Sequence, residues 1–404
     1  MAQDKEVLLK VEHLCQYFKM GKKELKAVHD ISFDIYKGEV FGLVGESGCG
    51  KTTTGRTIIK LYEPTSGNVY FKGQRICAGI RSYKDAIKTA NQELNVAKKT
   101  GDKAEINAKK KARDAILAEN SKLIKEARFD QKNCDKVYAK QQVAKIDEAY
   151  AQALEKAATE EQKIKLEAEY NKNRDIAKHQ RLVTEIQMIF QDPIASLDPR
   201  MTVREIVSEG LIIDKIKDKQ VIDEKVYEVL ERVGLVREHA SRYPHEFSGG
   251  QRQRIGVARS IIMQPSMIIA DEPVSALDVS IQAQVINLLN ELRHEMGLTI
   301  MFIAHDLSVV KYFSDRIGVM YYGDLVEMTT SDKLFAHPLH PYTKSLLSAI
   351  PLPDPIYEKK RKRIVYNPLV DHDYSADKPI LREVEEGHFV MCNNEEFERY
   401  CKLV

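Results

Sequence analysis

Residues 38–62 of this 404-residue chain, GEVFGLVGESGCGKTTTGRTIIKLY, give the clearest indication of its fold. Its apolar run Val40–Val44 predicts a buried strand, and the residues after Lys51 predict a helix. Between them lies the pattern G-x-x-x-x-G-K-T, whose glycines let the backbone curl so that several N–H groups point inward. The positive end of the helix dipole adds to this attraction for phosphate. We therefore expect an α/β fold with a phosphate-binding loop (P-loop) at Gly45–Thr52.

The P-loop residues have separate expected roles. Lys51 can reach the β- and γ-phosphates of a nucleotide, and the Thr52 hydroxyl can ligate Mg²⁺. The residues expected to bind ATP through this loop are Gly45, Ser47, Gly48, Cys49, Gly50, Lys51, Thr52 and Thr53.

Acidic residues end a second predicted strand in SMIIADEP, residues 266–273. Because ligands bind at the carboxyl ends of strands in open parallel sheets, these residues are well placed to serve the P-loop. Asp271 is expected to orient Mg²⁺ through a water, and Glu272 to act as general base or to position the attacking water. A third strand, LTIMFIAHD, ends in His305, which is placed to contact a γ-phosphate oxygen.

A second predicted phosphate-binding helix begins in HEFSGGQRQRIGVARS, residues 245–260. Within one compact domain, two helix N-termini cannot embrace the same nucleotide. Two such domains arranged head to tail resolve the difficulty, since each P-loop would bind ATP and the partner's Ser-Gly-Gly would close over the γ-phosphate.

The order of these motifs resembles the ATP-binding cassette (ABC) ATPases: a P-loop, then SGGQ, IIADEP, SALD and IAHD. The resemblance implies a signature motif at Ser248–Gln251, a D-loop at Ser275–Asp278 and a switch histidine at His305. It also implies a Q-loop glutamine at Gln191 and an adenine-stacking aromatic, for which we favour Phe18 over Tyr17. The implied catalytic residues are Lys51, Gln191, Glu272 and His305; the implied Mg²⁺ ligands are Thr52, Gln191 and Asp271; the implied contacts to the partner's ATP are Ser248, Gly249, Gly250, Gln251 and Asp278.

Three further stretches resemble the oligopeptide/dipeptide importer branch of this family, and in particular the second of its two ATPase subunits. They are IQMIFQDPIASLDPRMTV, RYPHEFSGGQRQRIGVARS and HPLHPYTKSLLSAIPLPDP. We expect the last of these to lie outside the ATP site, because ATP chemistry does not demand it. The resemblance implies a peripheral ATPase at the cytoplasmic face of the membrane. Its implied partners are a paralogous ATPase subunit, two permease subunits and an extracytoplasmic peptide-binding protein.

Composition excludes several other classes. With 62 Lys and Arg against 60 Asp and Glu, bulk charge does not indicate a dedicated nucleic-acid binder. No apolar run approaches the roughly 18 residues of a membrane span, and MAQDKEVLLKVEH lacks the apolar segment of a secretory signal. The six scattered cysteines are typical of a reduced, cytosolic chain without disulfides.

Residues 81–184 differ in character from the rest of the chain. They contain no proline and a single glycine, and hold 24 Lys and Arg against 17 Asp and Glu. Ala, Lys, Glu and Gln dominate, which predicts helices. Apolar residues recur at helical spacing at Val143, Ile146, Tyr150 and Leu154.

This span predicts a module added to an ordinary cassette. Lys51 and Ser248 lie 197 positions apart, and removing the 104 residues of 81–184 leaves 93, a spacing similar to that of ordinary members. We therefore predict an ABC ATPase domain with a helical subdomain, split into residues 1–80 and 185–330 by an all-α insertion. A hairpin or small bundle would bring the ends of the insertion together. We interpret it as a solvated arm that can be removed, or alternatively as an arm that binds a partner.

Residues 331–404 predict a C-terminal extension. Many members of the branch carry a cysteine cluster there that is thought to bind iron and sulfur, but residues 364–404 hold only Cys392 and Cys401. Since four thiolates are needed, we expect no iron–sulfur cluster. The basic run EKKRKR, residues 358–363, is interpreted as a solvated face, with contact to anionic lipid headgroups as the alternative.

Two other function classes use similar motifs. Chromosome-maintenance and DNA-repair proteins also interrupt a cassette with helices, but their coiled coils run to hundreds of residues and enter after the Q-loop, whereas this insertion precedes Gln191. Soluble cassette proteins that act on ribosomes usually carry two cassettes, and this chain has one P-loop. The transport ATPase is therefore the favoured interpretation, and no nucleic acid is expected as a partner. The sequence does not identify the transported solute.

Overall fold

The computed structural model of the protein describes residues 6–100, 102–156, 159–275, 277–350 and 363–404. Its strands are β1 (Val7–Met20), β2 (Lys23–Tyr36), β3 (Val40–Val44), β4 (Ser66–Phe71), β5 (Gln74–Ala78), β6 (Ile186–Ile189), β7 (Met267–Asp271), β8 (Thr299–Ala304), β9 (Arg316–Tyr321), β10 (Asp324–Thr330), β11 (Ile380–Glu385) and β12 (His388–Cys392).

Helices follow most of these strands. They are α1 (Lys51–Ile58), α2 (Arg81–Thr100), α3 (Lys103–Lys156), α4 (Glu160–His179), α5 (Val203–Ile213), α6 (Lys219–Arg232), α7 (Gly249–Ile261), α8 (Val279–Met296), α9 (Leu307–Phe313), α10 (Ser331–Ala336), α11 (Pro341–Ser348), α12 (Pro368–Asp371) and α13 (Asn394–Cys401).

Two sheets organise these elements within the described ranges. An antiparallel sheet has the order β2-β1-β4-β5, and a larger mixed sheet has the order β11-β12-β10-β9-β3-β8-β7-β6. In the larger sheet β3 pairs in parallel with β8 and β9, and β7 pairs in parallel with β6 and β8. This mixed α/β architecture agrees with the predicted fold class.

The central strands are buried on both faces because helices cover one side and the antiparallel sheet covers the other. Every residue of β3, β7 and β8 is buried, as near-continuous apolar parallel strands require. On one face Phe33 of β2 stacks on Phe41 of β3, with ring centroids 5.1 Å apart. On the other face Val207, Ile255 and Leu289, from three different helices, join one core cluster.

Strand register places the candidate residues at one edge of the sheet. Val44 of β3 lies opposite Ala304 of β8, and Asp271 of β7 lies opposite Ile303. The P-loop, the acidic pair and His305 therefore leave the sheet side by side, at its carboxyl edge.

Among the described residues of the insertion there are three helices, α2, α3 and α4, and α3 is unusually long. Helix α3 has 54 residues and is about 80 Å long at the usual helical rise. Helix α2 packs along its first part, where Lys109 and Glu93 pair at 2.8 Å. Helix α4 packs along its last part, where Tyr150 and Tyr170 stack with centroids 4.2 Å apart. The arrangement differs from a single hairpin, because α3 is shared by two antiparallel helix pairs, one toward each end.

The middle of α3 packs into the core of the ATPase. Cys134 and Tyr138 are each 4% exposed and belong to the same apolar cluster as β3 and β8. The Tyr138 hydroxyl donates to the Glu185 carboxylate, which also pairs with Lys72 and accepts a hydrogen bond from Ser266 Oγ at 2.6 Å. Part of the insertion thus shares a core with the cassette, which the interpretation as a solvated arm did not include.

The C-terminal residues continue the larger sheet. Strand β12 pairs antiparallel with β10, and β11 pairs with β12. Cys392 is buried in β12, whereas Cys401 at the end of α13 is exposed. Across the part of the chain that the structure describes, no group of three or more His, Cys, Asp or Glu side chains could hold a metal ion. The absence of an iron–sulfur cluster stays a prediction.

Two stretches singled out in the sequence fall outside the described residues. They are PLPDP at residues 351–355 and all of EKKRKR except Arg363. Among the described residues, none of the helices combines the length and the hydrophobicity that a membrane span requires.

Candidate functional site

Gly45 and Gly50 of the P-loop need to be glycine both for their backbone angles and for space. Gly45 and Gly50 have φ angles of 151° and 107°, in the range that favours glycine. A Cβ atom on Gly45 would lie 2.2 Å from the Met320 carbonyl oxygen, and one on Gly50 would lie 2.1 Å from the Ala27 carbonyl oxygen. Gly50 also precedes α1 and provides no side-chain cap, so the first amides of α1 keep their capacity to bind an anion.

Lys51 lies inside the loop that it is expected to serve. It is 4% exposed, and its Nζ donates to the carbonyl oxygens of Gly45 at 2.8 Å and Glu46 at 2.9 Å. To reach the β- and γ-phosphates, the ammonium group must exchange these carbonyls for phosphate oxygens.

Thr52 and Asp271 join α1 to the end of β7. The Thr52 hydroxyl donates to Asp271 Oδ1 at 2.7 Å. Burial raises the pKa of Asp271, while the hydrogen bond from Thr52 acts in the opposite direction. The second oxygen, Oδ2, is buried and has no hydrogen-bond partner among the described residues. An acceptor left in this condition is costly unless another group binds it.

Three predicted catalytic side chains meet at Glu272. Its Oε2 accepts a hydrogen bond from Gln191 Nε2 at 3.0 Å and one from His305 Nδ1 at 3.1 Å. Glu272 has a φ of 43°, and its backbone amide donates to the Ile303 carbonyl at 3.0 Å. The turn after β7 therefore directs this carboxylate between the ends of β6 and β8. In this arrangement the Gln191 amide contacts Glu272 and not the Thr52–Asp271 pair.

Phe18 and Tyr17 are both half-buried in β1. Phe18 packs edge-on against Tyr62, just after α1, with centroids 5.3 Å apart. The Tyr17 hydroxyl is hydrogen-bonded to His29 Nδ1 at 2.9 Å, and Arg81 lies 5.8 Å from its ring centroid. These contacts engage Tyr17 more fully than Phe18; adenine stacking on Phe18 stays a prediction.

The signature motif forms the start of α7. Ser248 caps this helix through a capping box with Gln251: Ser248 N donates to Gln251 Oε1 at 3.1 Å, and Gln251 N donates to Ser248 Oγ at 3.4 Å. A Cβ atom on Gly250 would lie 2.7 Å from Ile281 Cγ2, so glycine lets α7 approach α8.

The residues expected to contact the partner's ATP stay apart from this chain's own P-loop. Ser248 and Gly249 are exposed, and no hydrogen bond joins the signature motif to the P-loop in the described part of the chain. Asp278 is exposed at the N-cap of α8. Within the predicted D-loop, Ala276 lies outside the described residues.

One contact corrects an expectation from the sequence. The stretch HPLHPYTKS was expected to lie outside the ATP site, yet the Tyr342 hydroxyl accepts a hydrogen bond from the Glu46 amide of the P-loop at 3.1 Å. Burial raises the pKa of Tyr342, so its hydroxyl stays protonated. The contact spans 296 positions in sequence, and no local pattern predicts it.

Comparison with known proteins gives the family. The protein-family model described as ABC transporter matches residues 28–152 and 151–275 of this chain. The protein-family model described as Oligopeptide/dipeptide transporter, C-terminal region, matches residues 326–373. The Oligopeptide transport ATP-binding protein OppF of Bacillus subtilis (strain 168) is 46% identical over 396 residues, with 98% of this chain and 99% of the relative covered. The protein of the same name from Streptococcus mutans is 42% identical over 404 residues and is covered, like this chain, in full.

A solved structure supports the fold. The protein cbiO1 from Clostridium perfringens, described as part of an ABC transporter complex, matches with a TM-score of 0.50 and 21% identity, covering 82% of this chain and 92% of that one. The family matches and the motifs grouped at one sheet edge show that the chain belongs to the ABC transporter family of ATP-binding proteins, in the branch that carries the oligopeptide/dipeptide transporter C-terminal region.

Proposed function

We propose that this chain is the ATP-hydrolysing subunit of an ABC importer of oligopeptides. The observation that carries the proposal is the position of Glu272 between Gln191 and His305, beside a P-loop with Lys51. The relatives named for oligopeptide transport, and the match to the peptide-transporter C-terminal region, support oligopeptides as the solute class.

The P-loop binds the phosphates of ATP. Amides at the start of α1 and the Lys51 ammonium surround the β- and γ-phosphates, with Gly45, Ser47, Gly48, Cys49, Gly50, Thr52 and Thr53 as the remaining loop residues. Phe18 stacks on the adenine; by analogy with base stacking elsewhere this contributes about 1–3 kcal/mol.

The residues at the end of β7 fit a magnesium ion. Thr52 and Asp271 would hold it, because a hydroxyl and a carboxylate supply the oxygen ligands that Mg²⁺ prefers, and Asp271 Oδ2 is buried without a partner among the described residues. Gln191 is the further proposed ligand. When bound, Mg²⁺ neutralises charge on the β- and γ-phosphates.

Glu272 acts as the general base. Its carboxylate accepts a proton from the water that attacks the γ-phosphorus, while the bond to the β–γ bridging oxygen breaks and ADP leaves; the Gln191 amide orients that carboxylate. When doubly protonated, an imidazole donates through both nitrogens, so His305 would link Glu272 to a γ-phosphate oxygen.

A complete site needs a second ATPase subunit. The exposed N-terminus of α7, with Ser248, Gly249, Gly250 and Gln251, faces the γ-phosphate bound by a paralogous partner, and Asp278 contacts the same composite site. The pair works head to tail on two permease subunits at the cytoplasmic face of the membrane, with an extracytoplasmic peptide-binding protein delivering the solute.

The proposed domain division assigns residues 1–80 and 185–330 to the ATPase, 81–184 to the helical insertion and 331–404 to the C-terminal extension. Helices α2, α3 and α4 within 81–184 support this division.

Reconstitution tests the function. The full chain, assembled with the permeases and the second ATPase in liposomes and supplied with the peptide-binding protein, should drive ATP-dependent uptake of a labelled oligopeptide, and Lys51→Ala in this chain should stop it. Uptake that continues at the wild-type rate with Lys51→Ala would contradict the proposal.

A further inference from the structure

Tyr342 of the C-terminal extension contacts the P-loop. Tyr342, near the start of α11, is 2% exposed, and its hydroxyl accepts the Glu46 N–H at 3.1 Å. Glu46 is the second residue of the P-loop, directly after Gly45. The contact therefore holds the segment where the chain leaves β3 and begins to curl.

Glu46 is held at both of its backbone groups. Its amide donates to Tyr342, and its carbonyl oxygen accepts from Lys51 Nζ at 2.9 Å. Lys51 must release that carbonyl to bind phosphate. Once Lys51 has released the carbonyl, the bond to the Tyr342 hydroxyl is the side-chain hydrogen bond that still holds Glu46 among the described residues.

Tyr342 is itself fixed by a buried carboxylate. Glu327 of β10 is fully buried and accepts hydrogen bonds from the amides of Leu339 at 2.8 Å and His340 at 3.0 Å. His388 Nε2 of β12 lies 2.8 Å from the same carboxylate. These bonds set the position of the chain that enters α11.

His340 also helps to hold Tyr342 in place through its ring. Burial lowers the pKa of His340 to about 3, so its ring is neutral and its Nδ1 accepts the Tyr342 amide at 3.1 Å. The Tyr342 ring then packs against Tyr321, with centroids 4.4 Å apart, and against Tyr366 at 5.5 Å. A hydroxyl supported from this many sides moves little and can define the position of a loop.

We propose that Tyr342 is a positioning residue for ATP: its hydroxyl fixes the Glu46 amide, so the C-terminal extension sets the affinity of the P-loop for nucleotide. The inference rests on the proposed ATP site. Two contacts carry the inference. The buried Tyr342 hydroxyl accepts the Glu46 amide, and the Glu46 carbonyl is bound by Lys51, which must release it to bind phosphate.

Tyr342→Phe in the full chain is the direct test. The change keeps the ring and its packing but removes the acceptor for the Glu46 amide. Losing one such hydrogen bond should weaken binding of a fluorescent ATP analogue about fivefold. In the reconstituted complex the KM for ATP should rise by a similar factor while kcat changes less than twofold, because Tyr342 does not touch the reacting atoms.

Controls separate positioning from general destabilisation. Tyr366→Phe removes a hydroxyl from the neighbouring ring, for which the structure describes no P-loop contact, and should leave nucleotide affinity unchanged. A lower melting temperature in Tyr342→Phe with unchanged affinity and KM would overturn the inference, since that pattern indicates a structural role alone.

A second measurement does not depend on the variant folding. Hydrogen exchange on the wild-type chain should show a protected Glu46 amide, and free exchange at that amide would overturn the inference. If the wild-type chain binds no ATP analogue, the proposed function falls, and this inference with it. If the wild type binds and Tyr342→Phe binds equally well, only the role of Tyr342 is rejected.

Discussion

Tyr138 offers a sharp test of how the helical insertion is attached. Its ring is 4% exposed within the core, and its hydroxyl donates to Glu185. Tyr138→Ala removes a buried aromatic ring, which typically costs about 3–5 kcal/mol. Tyr138→Phe removes only a hydrogen bond to a carboxylate, about 1.5–3 kcal/mol, and we expect the lower end because Glu185 keeps Lys72 and Ser266.

Denaturant unfolding of the purified chain measures both values. Tyr150→Ala is the matched control, because Tyr150 lies on the same helix but is half-buried and stacks on Tyr170 in the arm. That pair is worth about 0.5–1.5 kcal/mol beyond the area it buries, so this variant should lose less stability than Tyr138→Ala. If Tyr138→Ala unfolds at the wild-type denaturant midpoint, the centre of α3 is not part of the ATPase core, and our reasoning is wrong.

Three other predictions concern the site and the insertion. Lys51→Ala should abolish hydrolysis and weaken ATP binding, because the loop loses its one side-chain cation; wild-type turnover in the purified complex would reject this. Ser248→Arg should impair the partner's ATP site and spare the site built on Lys51, which site-specific nucleotide trapping in the heterodimer can decide; loss confined to this chain's P-loop would refute the head-to-tail arrangement. A Gly-Ser bridge from Ile80 to Glu185 in place of residues 81–184 should lower the melting temperature, since Tyr138 leaves the core, yet retain ATP binding; an insoluble or non-binding protein would show that the helices are essential to the fold.

The candidate site was predictable because its residues follow strands. Val40–Val44, Met267–Asp271 and Thr299–Ala304 are short apolar runs, and parallel strands end at one edge of a sheet. Each run is followed directly by the residues that matter: the P-loop, Glu272 and His305. The meeting of Gln191, Glu272 and His305 follows from that topology.

The sequence predicts that the insertion is helical, but it does not predict how the helices pack. Tyr138 and Tyr150 both occur in helix-forming sequence, and their local patterns do not distinguish a core side chain from one in an arm. Tyr138 is distinguished by its hydrogen bond to Glu185, which in turn pairs with Lys72, and both of these residues are distant from Tyr138 in sequence. For the same reason no pattern indicated that one helix of 54 residues would serve two helix pairs.

The contact of Tyr342 with Glu46 was missed for a related reason. Its stretch was interpreted through family resemblance, and ATP chemistry gives no reason for a tyrosine there. The contact exists because Glu327 of β10 fixes the chain at His340, which becomes visible only once the strands are assembled. Sheet topology, and not local sequence, brings the extension to the loop.

Glu272 is proposed as the base of an ATP-hydrolysing site, and the variant Glu272→Gln tests that role. The amide has nearly the same size but cannot accept a proton from the attacking water. In the reconstituted complex we predict ATP binding close to wild type, loss of hydrolysis at this chain's site, and a trapped closed pair of ATPase subunits. The measurement is bound nucleotide against phosphate release in a single turnover. Phosphate release at a near-normal rate from the site built on Lys51 would show that Glu272 is not the base.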